Sequence, residues 1–282
     1  MYTLSIENAK GNSIRLSQNP NYTITNVTGL NPPSANINTA VNANFDGATF
    51  KSSRLNTRNI VITMKIEGAA ETNRIALYNF IKAKQACKLY FKNETRDVYI
   101  SGYVESMQIG IFDKKEVVQV SIICPNPYFI DVTNAKNTFS SIINLFQFPF
   151  SIEEEGIPFS SIDIEGTVNV INSGDIDTGM LIEFAATGEV VNPALYKIST
   201  SEFIKLNTTM QAGDVIQVNT GKGQKSVVKV SGGVKTNILN VLDSASTWLT
   251  LDSGDNVMTF TATTGAVYLS CSVSHNDLYE GV

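Results

Sequence analysis

Residues 117–129 read Val-Val-Gln-Val-Ser-Ile-Ile-Cys-Pro-Asn-Pro-Tyr-Phe. Val118, Val120, Ile122 and Cys124 fall on one side of this stretch, with Gln119 and Ser121 on the other. That two-residue period is the mark of a half-buried strand. Pro125 and Pro127 then stop the ladder, because proline donates no backbone hydrogen bond. Working backward, Ile60, Ile62, Met64 and Ile66 alternate with Val61, Thr63 and Lys65, and strands are predicted over 88–92 and 98–107. Met1 to Ile6 reads as a first strand and not as an export signal. One helix is expected over 72–85, with Leu77, Phe80, Ile81 and Lys84 at helical spacing and Thr72 as N-cap. The first half therefore reads as a β-sandwich or split barrel with one helix laid against it.

Working forward, short strands recur from Ile162 onward. They are predicted over 168–171, 180–185, 196–199, 203–206, 215–219, 225–230, 248–251, 256–262 and 266–274, with a short helical turn within 237–246. Turn signals such as Asn172-Ser173-Gly174-Asp175 and Ala212-Gly213-Asp214 separate them. This spacing points to a two-sheet sandwich or jelly roll. The phrase Leu278-Tyr279-Glu280-Gly281-Val282 is expected to close that second half. The predicted division is a first domain at 1–135, a connector at 136–160 and a second domain at 161–282. Ile142, Ile143, Leu145, Phe146, Phe148, Phe150 and Phe159 make the connector unusually apolar, so it is expected to pack on a surface.

Charge supports the boundary. Of the Lys and Arg, 14 lie in residues 1–135 against 10 Asp and Glu, while 136–282 holds 7 against 16, giving +4 and −9 of the net −5. A +4 half with scattered charges is too weak a footprint for nucleic acid. Hydrophobic residues form 43% of the 282 and charged residues 17%, the balance of a globular chain. No run approaches the roughly 18 apolar residues that span a bilayer. A chain made and folded in a cytoplasm is expected.

Chemistry-bearing groups are few. Cys87, Cys124 and Cys271 are spaced as buried thiols, and no Cys-x-x-Cys offers zinc its usual spacing. The one histidine, His275, has no nucleophile pattern beside it and reads as a solvated side chain. Glu153-Glu154-Glu155 and the pairs Asp163/Glu165 and Asp175/Asp177 read as solvated acidic loops, although glycosidases do employ two carboxylates. Asp252-Ser253-Gly254-Asp255-Asn256 lacks the register of a calcium loop and reads as a tight turn with Gly254 at positive φ. Gly221 to Ser226 lacks the glycine before Lys225 that a phosphate loop needs and reads as a hairpin turn. No catalytic residue, cofactor site or metal site is assigned. Trp248 is the candidate glycan contact, set against a core anchor between Leu242 and Leu249.

One polar stretch stands out. Residues 29–56 hold Pro32-Pro33, many asparagines and an Asp46-Gly47 turn, too long for a mere connection. It is either disordered or an extended hairpin arm ordered by a neighbour, and Asp46-Gly47 as a hairpin tip favours the arm. Pro32, Pro33, Asp46 and Gly47 are its candidate oligomerisation residues.

Several phrases in order resemble one family. They are Arg58-Asn59-Ile60-Val61-Ile62, Arg74-Ile75-Ala76-Leu77, Ile100-Ser101-Gly102-Tyr103-Val104-Glu105 and Cys124 to Phe129 in the first half. In the second they are Asn172 to Asp175, Gly188 to Pro193, Gly213-Asp214-Val215-Ile216, Asn219-Thr220, Lys225-Ser226-Val227, Gly254-Asp255-Asn256 and Leu278 to Val282. The family is the distal tail proteins of long-tailed phages and prophages of Gram-positive bacteria. The resemblance implies a tail-tube-like first domain forming a homo-hexameric ring, and a galectin-like jelly-roll second domain projecting outward. It implies a structural protein of the virion tail tip, assembled in the host cytoplasm. Its implied partners are the tail tube protein, the tail-tip or tail-associated protein and receptor-binding proteins. It implies no enzymatic activity, no cofactor, no specific nucleic-acid binding and no membrane association. The alternative class is a carbohydrate-binding module for host cell-wall glycans, and a cell-wall hydrolase is a further rival.

Overall fold

The computed structural model describes residues 2–41, 43–44, 46–111, 116–140, 142–144, 160–162 and 167–282, with only the backbone at 138–140, 142–144 and 160–162. Among the described residues it is mostly β with one α-helix, and it divides into two units, each with its own core.

The first unit holds β1 (Thr3–Asn8), β2 (Ser13–Arg15), β3 (Tyr22–Thr28), β4 (Ala35–Val41), β5 (Ala48–Leu55), β6 (Arg58–Ile66), α1 (Ala70–Phe80), β7 (Ala86–Lys92), β8 (Asp97–Ile109), β9 (Val117–Cys124) and β10 (Phe129–Asp131). Eight of these belong to one antiparallel sheet, seven in the order β2-β1-β7-β8-β9-β6-β3 and β10 pairing off this path with β8. The alternation read in the sequence is the burial pattern: Ile60, Ile62, Met64, Val118, Val120, Ile122 and Cys124 are all buried in one cluster with Leu4, Leu89 and Ile100. These positions belong to one sheet and not to two stacked ones, and Leu77 of the helix joins the same cluster. Within β8, Gly102 sits where a Cβ would stand 2.7 Å from Ile122 Cγ2 and 2.9 Å from Cys124 Sγ, so close packing excludes a side chain there.

The helix differs from its prediction at both ends. Its N-cap is Ala69, with no side-chain cap, and Thr72 lies inside the first turn. Asn73 ties the helix start to the preceding turn by donating its side-chain amide to Glu67 O at 2.8 Å, which caps none of the first-turn amides. The helix ends at Phe80 instead of 85, because Ile81 is extended and Lys84 adopts φ +66°, a left-handed backbone incompatible with a helix.

The second unit holds β11 (Ala135–Ser140), β12 (Ile142–Asn144), β13 (Ser160–Ile162), β14 (Thr167–Asn172), β15 (Leu181–Ala186), β16 (Val190–Val191), β17 (Ala194–Lys197), β18 (Glu202–Lys205), β19 (Thr209–Met210), β20 (Val215–Asn219), β21 (Ser226–Ser231), β22 (Val234–Asn237), β23 (Gly254–Thr261) and β24 (Leu269–His275). A six-stranded sheet, β11-β24-β15-β20-β21-β22, and a four-stranded sheet, β14-β23-β17-β18, share one core. Ile182, Phe184, Ile216, Val218 and Val273 enter it from the first, and Val170, Leu195, Ile204, Met258 and Phe260 from the second. This is the packing of a β-sandwich. Residues 248–251 form no strand beyond an isolated bridge of Leu251 to Thr178, and the helical turn within 237–246 is a single 3-10 turn at Leu239–Val241.

The predicted domain limits are corrected. The first unit is residues 1–133 with 278–282, and the second is 134–277. Two ladders explain this. β11 pairs with β24, Ala135 opposite His275, which draws the start of the expected connector into the second unit. The strand β25 (Leu278–Tyr279) pairs with β10, Phe129 opposite Tyr279, which returns the chain to the first. The apolar positions Leu145, Phe146, Phe148, Phe150 and Phe159 lie outside the described residues, as do Glu153, Glu154, Glu155, Asp163 and Glu165.

Candidate functional site

The polar stretch after Gly29 is an antiparallel hairpin. β4 and β5 form a two-stranded sheet of their own, with Ala35 opposite Leu55 and Val41 opposite Ala48. Asp46 and Gly47 lie at its tip, exposed, with Gly47 at φ +93°. A bulge between Asn38 and Thr39 adjusts the register. The pairs Ile37/Ser53, Thr39/Phe50 and Val41/Ala48 project to one face, since directly opposed residues share a side. The other face carries Asn36, Asn38, Thr49, Ser52 and Arg54, with Asn38 Nδ2 donating to Ser52 Oγ at 3.0 Å.

The first face is apolar and bare. Ile37 and Phe50 are each 61% exposed and Val41 is 83% exposed. A two-stranded ribbon is marginal in water by itself, and an open edge beside an apolar face invites pairing. The hairpin thus presents an uncovered apolar face on a two-stranded ribbon.

Its root is rigid. Asn56 N donates to Ser34 O at 3.2 Å. Gly29 has φ +84°, and a Cβ there would lie 2.1 Å from Asn59 O. Arg58, only 3% exposed, donates from Nη1 to Gly29 O and Asn31 O at 2.6 Å each and from Nε to Pro127 O at 2.7 Å. Its guanidinium lies 4.6 Å from the centre of the Phe129 ring. Burial pulls the Arg58 pKa down, partly offset by the neighbouring Cys124 and Glu280. Pro32 and Pro33 flank this root on the outgoing side.

The other sequence candidates are placed elsewhere. Trp248 is half-buried against the second core, with Lys225 Nζ 5.3 Å from its ring centre. His275 is corrected from a solvated residue to a buried one, 3% exposed at the end of β24, with Nε2 3.2 Å from Asp277 Oδ1. The turn 252–256 satisfies itself: Asn256 is buried, accepts from Asp252 N at 2.9 Å and donates to Asp252 O and Gly254 O. Gly254 has φ +92°. Asp252 also pairs with the buried Lys197 at 2.8 Å. Residues 220–225 connect the antiparallel strands β20 and β21. Among the described residues no cluster of His, Cys, Asp or Glu is arranged to hold a metal. All three cysteines are buried. Desolvation lifts the Cys87 thiol to about 11 and that of Cys124 to about 12, and raises Cys271 as well.

Comparison with known proteins bears on both units. The family model of the phage tail protein RIFT-related domain matches residues 9–123. That of the siphovirus-type tail component, C-terminal domain, matches residues 173–276. The chain belongs to the phage distal tail protein family. The crystal structure of the Dit protein of phage SPP1, described as a paradigm of the hub adsorption apparatus in phages infecting Gram-positive bacteria, aligns with this distal tail protein at a TM-score of 0.70. The two are 15% identical, with 99% of each chain covered. A chain of the phage P2 baseplate in its activated conformation with calcium aligns at 0.53, and one of the strontium form at 0.51, each 12% identical over 98% of both chains. At these identities the likeness is one of fold. No curated protein matches in sequence.

Sequence reading named the ends and tip of the hairpin and missed what matters on it. Ile37, Thr39 and Val41 alternate within Ala-Asn-Ile-Asn-Thr-Ala-Val, a strand signal masked by the asparagines. Arg58 enters the sequence reading only within Arg58-Asn59-Ile60-Val61-Ile62, and nothing in its neighbours announces a buried fork.

Proposed function

We propose that this distal tail protein assembles as a hexameric ring at the end of the tail tube, joining it to the tail tip or baseplate and anchoring receptor-binding proteins. The ring contact is the hairpin β4–β5, laid by its apolar face on the next subunit. The observation that carries this is the bare row of Ile37, Val41 and Phe50 on an otherwise unsupported ribbon. Such a contact joins two different surfaces, and head-to-tail contacts of this kind generate a ring when the rotation between neighbours closes. The family match and the fold shared with a hub protein support the same reading. The protein acts by scaffolding and not by catalysis, sits at the tail tip of the virion after assembly in the host cytoplasm, and does not grip nucleic acid.

The test is mass in solution. The intact chain is expected at six times the protomer mass, and Ile37→Ser/Val41→Ser/Phe50→Ser at the protomer mass with unchanged circular dichroism. A triple variant that keeps the full assembly, or an intact chain solitary at high concentration and absent from tails, overturns the reading. The glycan-binding alternative is not favoured. Trp248, its candidate contact, is half-covered by the core and shadowed by Lys225.

A further inference from the structure

Residues 278–282 follow the whole second unit in sequence yet belong to the first. Their contacts converge on one place. Tyr279 is buried in the first core, with the Arg96 guanidinium 4.3 Å from its ring centre. Beyond it the contacts are made through the backbone. Arg58 Nη2 donates to Glu280 O at 2.5 Å, Arg96 Nη1 donates to Gly281 O, and Val282 N donates to Leu30 O at 3.3 Å. Gly281 lies against the root itself, where a Cβ would stand 3.1 Å from Pro32 Cδ.

The fork that holds Glu280 also holds Gly29 and Asn31, and it belongs to the first residue of β6, on the returning side of the hairpin. One buried guanidinium thus ties together the outgoing root, the returning root and a segment more than two hundred residues later. Its partners are carbonyls, so what is read is the path of the backbone and not the identity of side chains.

We propose that residues 278–282 form a clasp on the root of the hairpin, which holds its pose only after the chain has passed through the second unit and returned. The clasp makes the ring element of the first unit conditional on the return of the chain to that unit. This last consequence rests on the hairpin being the self-association element; the clasp itself does not.

Hydrogen–deuterium exchange of the full chain in dilute solution tests it, against two variants. Deleting residues 280–282 keeps the buried Tyr279 and removes the contacts to Leu30 and Pro32, the Arg58 bond to Glu280 O and the Arg96 bond to Gly281 O. Arg58→Lys keeps the charge and loses the fork, so the question stays open to test even if the deletion fails to fold. In both, exchange over 29–34 and at Asn56 should rise by roughly tenfold or more, while the second unit keeps its rates. Unchanged protection at the root, or an even loss across the whole first unit, overturns the clasp. If the root loosens while the intact chain is solitary, the clasp stands and the ring reading falls. If the root loosens and the variants still assemble fully, the coupling of clasp to assembly is wrong.

Discussion

Replacing Arg58 by methionine isolates what the buried fork contributes. Methionine keeps an unbranched stem over Phe129 and removes four donors, at 2.5 to 2.7 Å from the carbonyls of Pro127, Gly29, Asn31 and Glu280. Hydrogen bonds to a charged group stabilise by about 1.5–3 kcal/mol each. Their sum overstates the effect, because burying the guanidinium itself costs several kcal/mol. The net expectation is a loss of about 3 kcal/mol from the first unit, or roughly 10 °C in its melting midpoint. The assay exploits a convenient asymmetry. Trp248 is the only tryptophan and lies in the second unit, so its fluorescence reports that unit, while far-ultraviolet circular dichroism reports both. The first-unit transition should move and the Trp248 transition should stay. A midpoint unchanged to within about 2 °C would refute the account of Arg58. An equal shift at Trp248 would refute the independence of the two cores.

Three further outcomes follow from particular contacts. Gly102→Ala drives a Cβ into Ile122 and Cys124 and should destabilise the first unit by about 1–3 kcal/mol in urea titration, with no effect on Trp248. Burial alone would raise the Asp214 carboxyl, but the Gln211 amide, Lys229 and Ser231 together bring it from 3.8 to about 2. A depressed acid stabilises the fold above its unfolded value, so the second unit should lose stability as pH falls from about 4 to about 2, and Asp214→Asn should flatten that slope in acid titrations followed by Trp248. The three buried thiols should resist a disulfide reagent in the native protein and all react after unfolding in urea.

Strands with strict alternation were legible from sequence because the burial they encode is local and periodic. Val118 to Cys124 and Ile60 to Ile66 are examples, as are Val215 to Asn219 in the second unit. The helix boundaries were not, because Lys84 takes a left-handed conformation inside the expected helix and the chain enters the helix at Ala69, three residues before Thr72, without a side-chain cap. The strand β3 was missed because Tyr22–Thr28 is a polar edge whose outward residues dominate its composition. The hairpin was legible as a hairpin through Asp46-Gly47, while its apolar face became visible only when the register set Phe50 beside Thr39, between Ile37 and Val41. His275 and residues 278–282 were misread for one reason. Both owe their burial to partners more than one hundred residues away, Ala135 for the histidine and Phe129 and Arg58 for the segment, and no window of sequence contains such pairs.

The chain leaves the first unit between β10 and β11 and comes back between β24 and β25, with outgoing and returning strands paired on both sides of the crossing. A module attached in this way can be exchanged at a single locus. Joining residue 133 to residue 278 through a tight turn would leave β10 and β25 as a simple hairpin with Phe129 still opposite Tyr279. Recombination could therefore swap the appended sandwich for another without re-registering the sheet that receives it.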